Sequence, residues 1–256
     1  MQQDIKKKAT LIERTRLYMR GLSRQTPAKV FLPSRDKTEN GAWNHLYLLI
    51  FWPLFLLAFE FAESGFVARE YHIIHCALDD MIPFCEYFII PYLAWFLMVG
   101  GMAAYTALFE KKVFVRYMKF IIVTYSVAIA VFFIYPSAQE LRPLYFENPN
   151  FFTNMVLGIY SADTSTNICP SIHVIGAIAV LFAAFDSGRF SGRVSRIIFT
   201  LATLAVCAST VFLKQHSVLD VLAALPVCAV GAALFYRERF AGLFAAKRNR
   251  KGNTAC

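Results

Sequence analysis

Apolar residues in this chain gather into long runs separated by short polar stretches. Each run is close to the roughly 20 residues a helix needs to cross a bilayer. The pattern predicts six such helices, over residues 46–63, 85–108, 115–135, 171–185, 194–213 and 217–236, the fourth being the shortest. Aromatic residues gather near several ends (Trp43, Tyr47, Tyr87, Tyr92, Tyr135, Tyr236), as interfacial anchors do. The expected fold class is all-α, an integral membrane six-transmembrane-helix bundle over residues 44–238. Basic tails, 1–43 and 239–256, flank it.

Composition agrees with the pattern. Of the residues, 57% are hydrophobic and only 17% are charged, whereas a soluble domain carries about a quarter charged residues. Lipid is the expected solvent.

Charge distribution adds an orientation. Lys and Arg run from Lys6 to Lys37, recur at Lys111, Lys112 and Arg116 and at Arg189 and Arg193, and return from Arg237 to Lys251. The alternate loops are sparse, with Arg69, Arg142 and Lys214. The positive-inside rule then places both tails in the cytoplasm. The net charge of +9 sits in these tails and loops, with no basic stripe interleaved with stacking aromatics. That excludes nucleic acid as a partner. The polar, basic start does not read as a cleavable signal peptide, so the first span is expected to serve as an uncleaved signal. Within that tail, Leu11, Ile12, Leu17, Tyr18 and Leu22 fit a helix lying on the inner leaflet, or equally a solvated tail. Compactness and short loops suggest a bacterial cytoplasmic membrane.

The six cysteines form no CxxC pair. Cys207 and Cys228 fall inside apolar runs, where a thiol acts as a small hydrophobe. Cys76 and Cys85 share the first outer loop, and their spacing leaves a disulfide open.

Candidate chemistry collects in the third and fifth loops, on one predicted face. The third contains Arg142-Pro143, Asp163, Asn167 and Cys169-Pro170-Ser171-Ile172-His173; the fifth runs from Ser209 through Lys214 and His216 to Asp220. Ionisable residues at span ends are costly and therefore functional candidates. His216 and Asp220 are four apart, on one helix face. An Asp bonded to one ring nitrogen fixes the tautomer and frees the other nitrogen as nucleophile or base. Pro170 and Ser171 suit a helix start, whose amides and dipole form a phosphate cradle. His173, in that first turn, is placed to protonate a leaving oxygen. Arg142 is a bidentate phosphate ligand in waiting, and Lys214 a point charge. Asp79 and Asp80 in the first outer loop are weaker candidates for binding a polar headgroup, and Glu60 and Glu63 are ambiguous. The apolar stretch 144–159 suits an interfacial helix over the lipid's path, or plain packing against the bundle.

These residues resemble the motifs of the type 2 phosphatidic acid phosphatase superfamily. Pro170-Ser171-Ile172-His173 is similar to its PSGH motif, and Ser209, His216 and Asp220 match its SRxxxxxHxxxD motif. Arg142-Pro143 resembles the end of its KxxxxxxRP motif, and the order of motifs and spans agrees. The chain departs from the pattern at Tyr135, where the family has lysine, at Thr210, where it has arginine, and at Ile172, where it has glycine. The resemblance implies His216 as a nucleophile forming a phosphohistidine, Asp220 as its orienting partner and His173 as the acid. Arg142, Ser171 and, as a substitute cation, Lys214 would bind the phosphate. It implies no cofactor and no metal, and a membrane lipid phosphate or diphosphate as substrate at the non-cytoplasmic face. The missing cations are similar to divergent branches that include phosphotransferases making inositol- or choline-phosphate sphingolipids. Transfer to an alcohol is thus the alternative activity, and a catalytically inactive lipid-binding protein the non-enzymatic one.

Overall fold

The computed structural model describes residues 43–64, 70–146 and 149–238. The tail pattern from Leu11 to Leu22, Arg69 and the C-terminal tail 239–256 lie outside the described residues.

A 3-10 stretch, Trp43–Ile50, runs directly into helix α1, Phe51–Glu63. The loop that follows carries strand β1, His72–Ile73, and a short helix α2, Ala77–Met81. A 3-10 turn, Glu86–Phe88, leads into α3, Ile89–Phe109, and α4 follows over Lys111–Ile134. Strand β2, Ser137–Ala138, precedes α5, Phe151–Ala162, and then follow α6, Ile172–Asp186, α7, Arg193–Phe212, and α8, Val218–Phe235.

The protein is all-helical in its body, and among the described residues five helical stretches are long and apolar enough to cross a membrane: Trp43–Glu63, Glu86–Phe109, Lys111–Ile134, Arg193–Phe212 and Val218–Phe235. The sixth expected span is α6, whose 15 residues rise only about 22 Å, short of a hydrocarbon core of roughly 30 Å. Its place in the bundle explains its composition. It packs against α3, α4, α7 and α8, and Ile175, Ala177, Val180 and Ala184 are fully buried. Small residues let those neighbours close around it. On the other helices Leu57, Leu97, Leu204 and Leu234 stand exposed, a surface suited to lipid. Aromatic residues of α4, among them Tyr117, Phe120 and Tyr125, fill the centre.

The two ends of the bundle differ. At one, Arg116 pairs with Asp186, and Glu110 accepts hydrogen bonds from Ser187 Oγ at 2.8 Å and Gly188 N at 3.2 Å. This end gathers the basic turns around Lys111 and Arg189. At the other, the loops are knitted by backbone pairing that periodicity did not foretell. β1 and β2 pair in parallel, His72 with Ser137 and Ile73 with Ala138. Asn167 N donates to Ser137 O at 2.5 Å and Gln139 N to Ser165 O at 3.0 Å. Glu63, ambiguous from sequence, accepts from Thr166 Oγ1 and Asn167 Nδ2, each at 3.1 Å, and so ties this lattice to α1. Cys76 and Cys85 are both free thiols, so the disulfide left open by their spacing is not formed.

Candidate active site

Ser171 caps α6, its hydroxyl accepting from Val174 N at 3.4 Å, and this puts His173 in the first turn. The His173 ring is walled by two aromatic residues of α3, with centroid distances of 4.7 Å to Tyr92 and 4.5 Å to Trp95. Gly176, one turn further on, is what admits Trp95, together with Tyr125 of α4. A Cβ there would lie 2.7 Å from Tyr125 Oη and 2.8 Å from Trp95 Nε1.

His216 arrives from the turn between α7 and α8. Gln215 N and His216 N both donate to Thr210 O, at 2.9 and 3.0 Å, and fold that turn tightly. Lys214 sits at its crest with a left-handed φ of 53°, a region non-glycine residues seldom occupy. Ser217 then caps α8, and Asp220 Oδ2 returns the bond by accepting from Ser217 N at 2.9 Å. This reciprocal cap holds Asp220 where Oδ2 also meets His216 Nδ1 at 3.3 Å. With Nδ1 turned to the Asp220 carboxylate, the tautomer protonated on Nδ1 carries its lone pair on Nε2. That Nε2 lies 3.3 Å from His173 Nδ1. Ser171 N donates to Asp220 O at 3.2 Å and joins the two helix starts. Cys169 adjoins Asp220, but burial and the Asp220 charge push its thiol up to about 12, which keeps it protonated.

The other expected site residues are placed as follows. Arg142 lies 4.5 Å over the Tyr160 ring. Its Nη1 donates to the carbonyls of Tyr160 and Asp163, at 3.2 and 3.0 Å. Its Nη2 donates to Thr164 O at 2.7 Å and Gln215 Oε1 at 2.5 Å. It therefore caps the C-terminal end of α5 and, through Gln215, steadies the turn that presents His216. Its Nε is buried without a hydrogen-bond partner. Lys214 spends its ammonium on the α2 end, donating to Asp79 O at 2.6 Å and Ile82 O at 2.5 Å.

Asp79 is a structural carboxylate. Only 1% exposed, it accepts from Ser217 Oγ at 2.6 Å, Val218 N at 2.8 Å and Cys76 N at 2.9 Å. Burial works against its charged form, but these bonds outweigh it and hold the carboxyl below its ordinary value. Both of its oxygens are engaged in holding the start of α8 and the loop at Cys76. Asp80 is exposed and bonds His75 Nε2 at 2.9 Å, which raises the imidazole's pKa. Tyr135 stacks on His72 with centroids 4.0 Å apart. Thr210 is fully buried, its hydroxyl donating to Cys207 O at 2.8 Å.

An apolar groove of about 660 Å³ opens between α1 and α3 and ends on Asp163, Ile172 and His173. Such a volume is ordinary for a ligand pocket. It exists because α1 packs on α4, while α3 packs on α4 and α6. Its walls include Trp52, Phe55 and Phe59 of α1 and Tyr92, Trp95 and Phe96 of α3. At its mouth, burial raises the Asp163 carboxyl, against the lowering influence of His216 and Arg142. Among the described residues no three His, Cys, Asp or Glu side chains are grouped to hold a metal ion.

No protein family, curated protein or solved structure matches the chain. The functional reading rests on the geometry and on the motif resemblance.

Sequence reasoning missed the wall of Tyr92 and Trp95, the tether through Gln215 and the cap made by Asp79. Aromatic residues in an apolar run carry no mark of their role. Gly176, three residues after His173, was the one available signal of a close approach.

Proposed function

We propose that the protein is an integral membrane enzyme that removes a phosphoryl group from a lipid phosphate or diphosphate, a divergent relative of the type 2 phosphatidic acid phosphatases. One observation carries this reading: groove, His173, His216 and Asp220 are joined by successive contacts. A lipid tail in the groove puts its polar end at His173, with Nε2 of His216 beyond it.

The chemistry follows from that order. His216 Nε2 attacks phosphorus, the bond from phosphorus to the lipid oxygen breaks, and His173 gives its proton to that oxygen. Water then gives a proton back to His173 and attacks the phosphohistidine, whose P–N bond breaks to release phosphate. Asp220 stabilises the charged His216 ring throughout. Amides opening α6 beyond Ser171, with the positive field of Arg142, hold the phosphoryl oxygens. In-line transfer places attacking and leaving atoms on opposite sides of phosphorus, so the two imidazoles must part when substrate enters.

In the same reading α6 completes a six-span bundle as its protein-enclosed helix, and the basic turns face the cytoplasm with both tails. The site then lies at the outer face. The membrane would be a bacterial cytoplasmic one.

The test is phosphate release from a panel of lipid phosphates and diphosphates in detergent with EDTA present. Wild type is expected to release phosphate and His216→Ala is not. Equal release by both overturns the mechanism, and lipid binding without turnover by wild type supports an inactive lipid-binding protein instead.

Burial favours a second outcome for the same intermediate. His173 and His216 are 6% and 5% exposed, a setting poor in water, in which a phosphohistidine persists until an alcohol arrives. Turnover that depends on an added acceptor such as inositol or diacylglycerol identifies a phosphotransferase.

A further inference from the structure

The groove changes character along its length. Near His173, α3 presents Tyr92, Trp95 and Phe96; further along it presents Gly100, Ala103, Ala104 and Ala107. Glycine inside a helix is unfavourable relative to alanine by about 1 kcal/mol, yet a Cβ added at Gly100 would meet nothing within 4 Å. The space is open, and it is open on the groove side. At the far end the 3-10 stretch is tied to α3, where buried His45 donates from Nε2 to Ala107 O at 2.9 Å, beside the lining residue Leu49.

A helix-walled apolar groove that starts at a phosphate site and runs to the contact of His45 with Ala107 acts as a measuring device. From Tyr92 to Ala107, α3 rises about 22 Å. An extended chain advances about 1.2 Å per bond, so this depth accommodates about 18 bonds. It also exceeds half of a roughly 30 Å hydrocarbon core, so its occupant is a tail drawn straight, not one coiled in a single leaflet.

We infer that the groove is a tail-length ruler, taking one extended straight chain of about 16–18 carbons from a lipid phosphate, with Gly100 and Ala104 as the graduations that set the accepted length. The inference rests on the lipid-phosphate reading of His173 and His216 for the identity of the head. Continuity of the groove with His173 names the tail of that lipid as the occupant.

Gly100 lies about 12 Å and Ala104 about 18 Å along α3 from Tyr92. Leucine at either position fills the channel at that depth. Both residues are exposed and helical, and leucine is a good helix former, better than glycine and close to alanine, so the variants fold. The experiment uses the full chain in detergent with n-alkyl phosphates of 6 to 20 carbons. It reads phosphate release, and binding through the emission of Trp52 and Trp95. Wild type accepts tails up to about 16–18 carbons. Gly100→Leu is expected to weaken about tenfold for tails beyond about 10 carbons, and Ala104→Leu beyond about 15, with the shortest tails unchanged in both. An ordered shift of this kind does not arise from general damage. Identical length profiles in the three proteins, or a uniform loss at all lengths in the variants, overturn the ruler. If no alkyl phosphate is hydrolysed but the binding profiles shift in order, the ruler stands and the catalytic reading falls. If His216→Ala removes turnover while the profiles do not shift, the reverse holds.

Discussion

The hydroxyl of Ser217 donates to Oδ2 of Asp79 at 2.6 Å, across 138 positions of sequence. Ser217 follows His216 directly, so the loop after α1 fixes the frame in which that histidine is held. Asp79 closes the N-terminal end of α8 from one side and Asp220 closes it from the other.

Removing Asp79 therefore acts on stability first. Asp79→Ala leaves Ser217 Oγ, Val218 N and Cys76 N without their acceptor, at an expected cost of about 2–4 kcal/mol. A fall in melting temperature, with Asp79→Asn recovering part of it, is the outcome; a wild-type melting curve for Asp79→Ala would refute the cap.

The same carboxylate gives a pH dependence with a definite sign. Its folded pKa is depressed, so its contribution is complete above the unfolded value of about 3.9 and is lost as pH falls through the folded value. Melting temperatures of wild type and Asp79→Asn, followed from pH 6 to pH 3, should converge at the acid end. Curves that stay parallel would count against this assignment.

For His173 the prediction is chemical. As the proton donor to the leaving oxygen it contributes about 10²–10⁴-fold for an alkyl phosphate. With para-nitrophenyl phosphate, whose leaving group needs no proton, His173→Ala should lose far less. Equal losses on both substrates would make His173 a packing residue.

Gly176→Ala places a methyl group against Tyr125 Oη and Trp95 Nε1. Overpacking of this kind costs about 1–3 kcal/mol and moves the aromatic wall of His173. Turnover is expected to fall at least about tenfold in protein that still folds, with Trp95 emission shifted. An unshifted spectrum would mean the wall had not moved.

Arg142→Lys tests the four-acceptor clamp on Tyr160, Asp163, Thr164 and Gln215. A point charge does not reproduce a planar fork. Both kcat and melting temperature should drop; a rise in KM alone would assign Arg142 to substrate phosphate instead of the clamp.

Much of the architecture was legible in the amino-acid order. Run length marked the spans, because a helix in lipid must satisfy its backbone internally over a fixed thickness. The starts of α6 and α8 were readable at Pro170-Ser171 and Ser217, since capping is a local matter. His216 and Asp220 pair as expected, but not on one helix face: His216 stands in the turn ahead of the N-cap Ser217, and the cap formed by Asp220 sets the pair. The bounds of α6 were legible as well, 171–185 against the observed Ile172–Asp186, but its enclosure by four helices depends on partners distant in sequence.

Only the tertiary structure decided the rest. It brought His173 against His216 across 43 positions, and bonded Lys214 and Asp79 to each other's loops. It also opened the groove between α1 and α3. Local pattern reports the solvent each residue prefers and the helix it joins. Which charged group is consumed by a carbonyl, and where two helices fail to meet, depends on long-range packing that no short window of sequence contains.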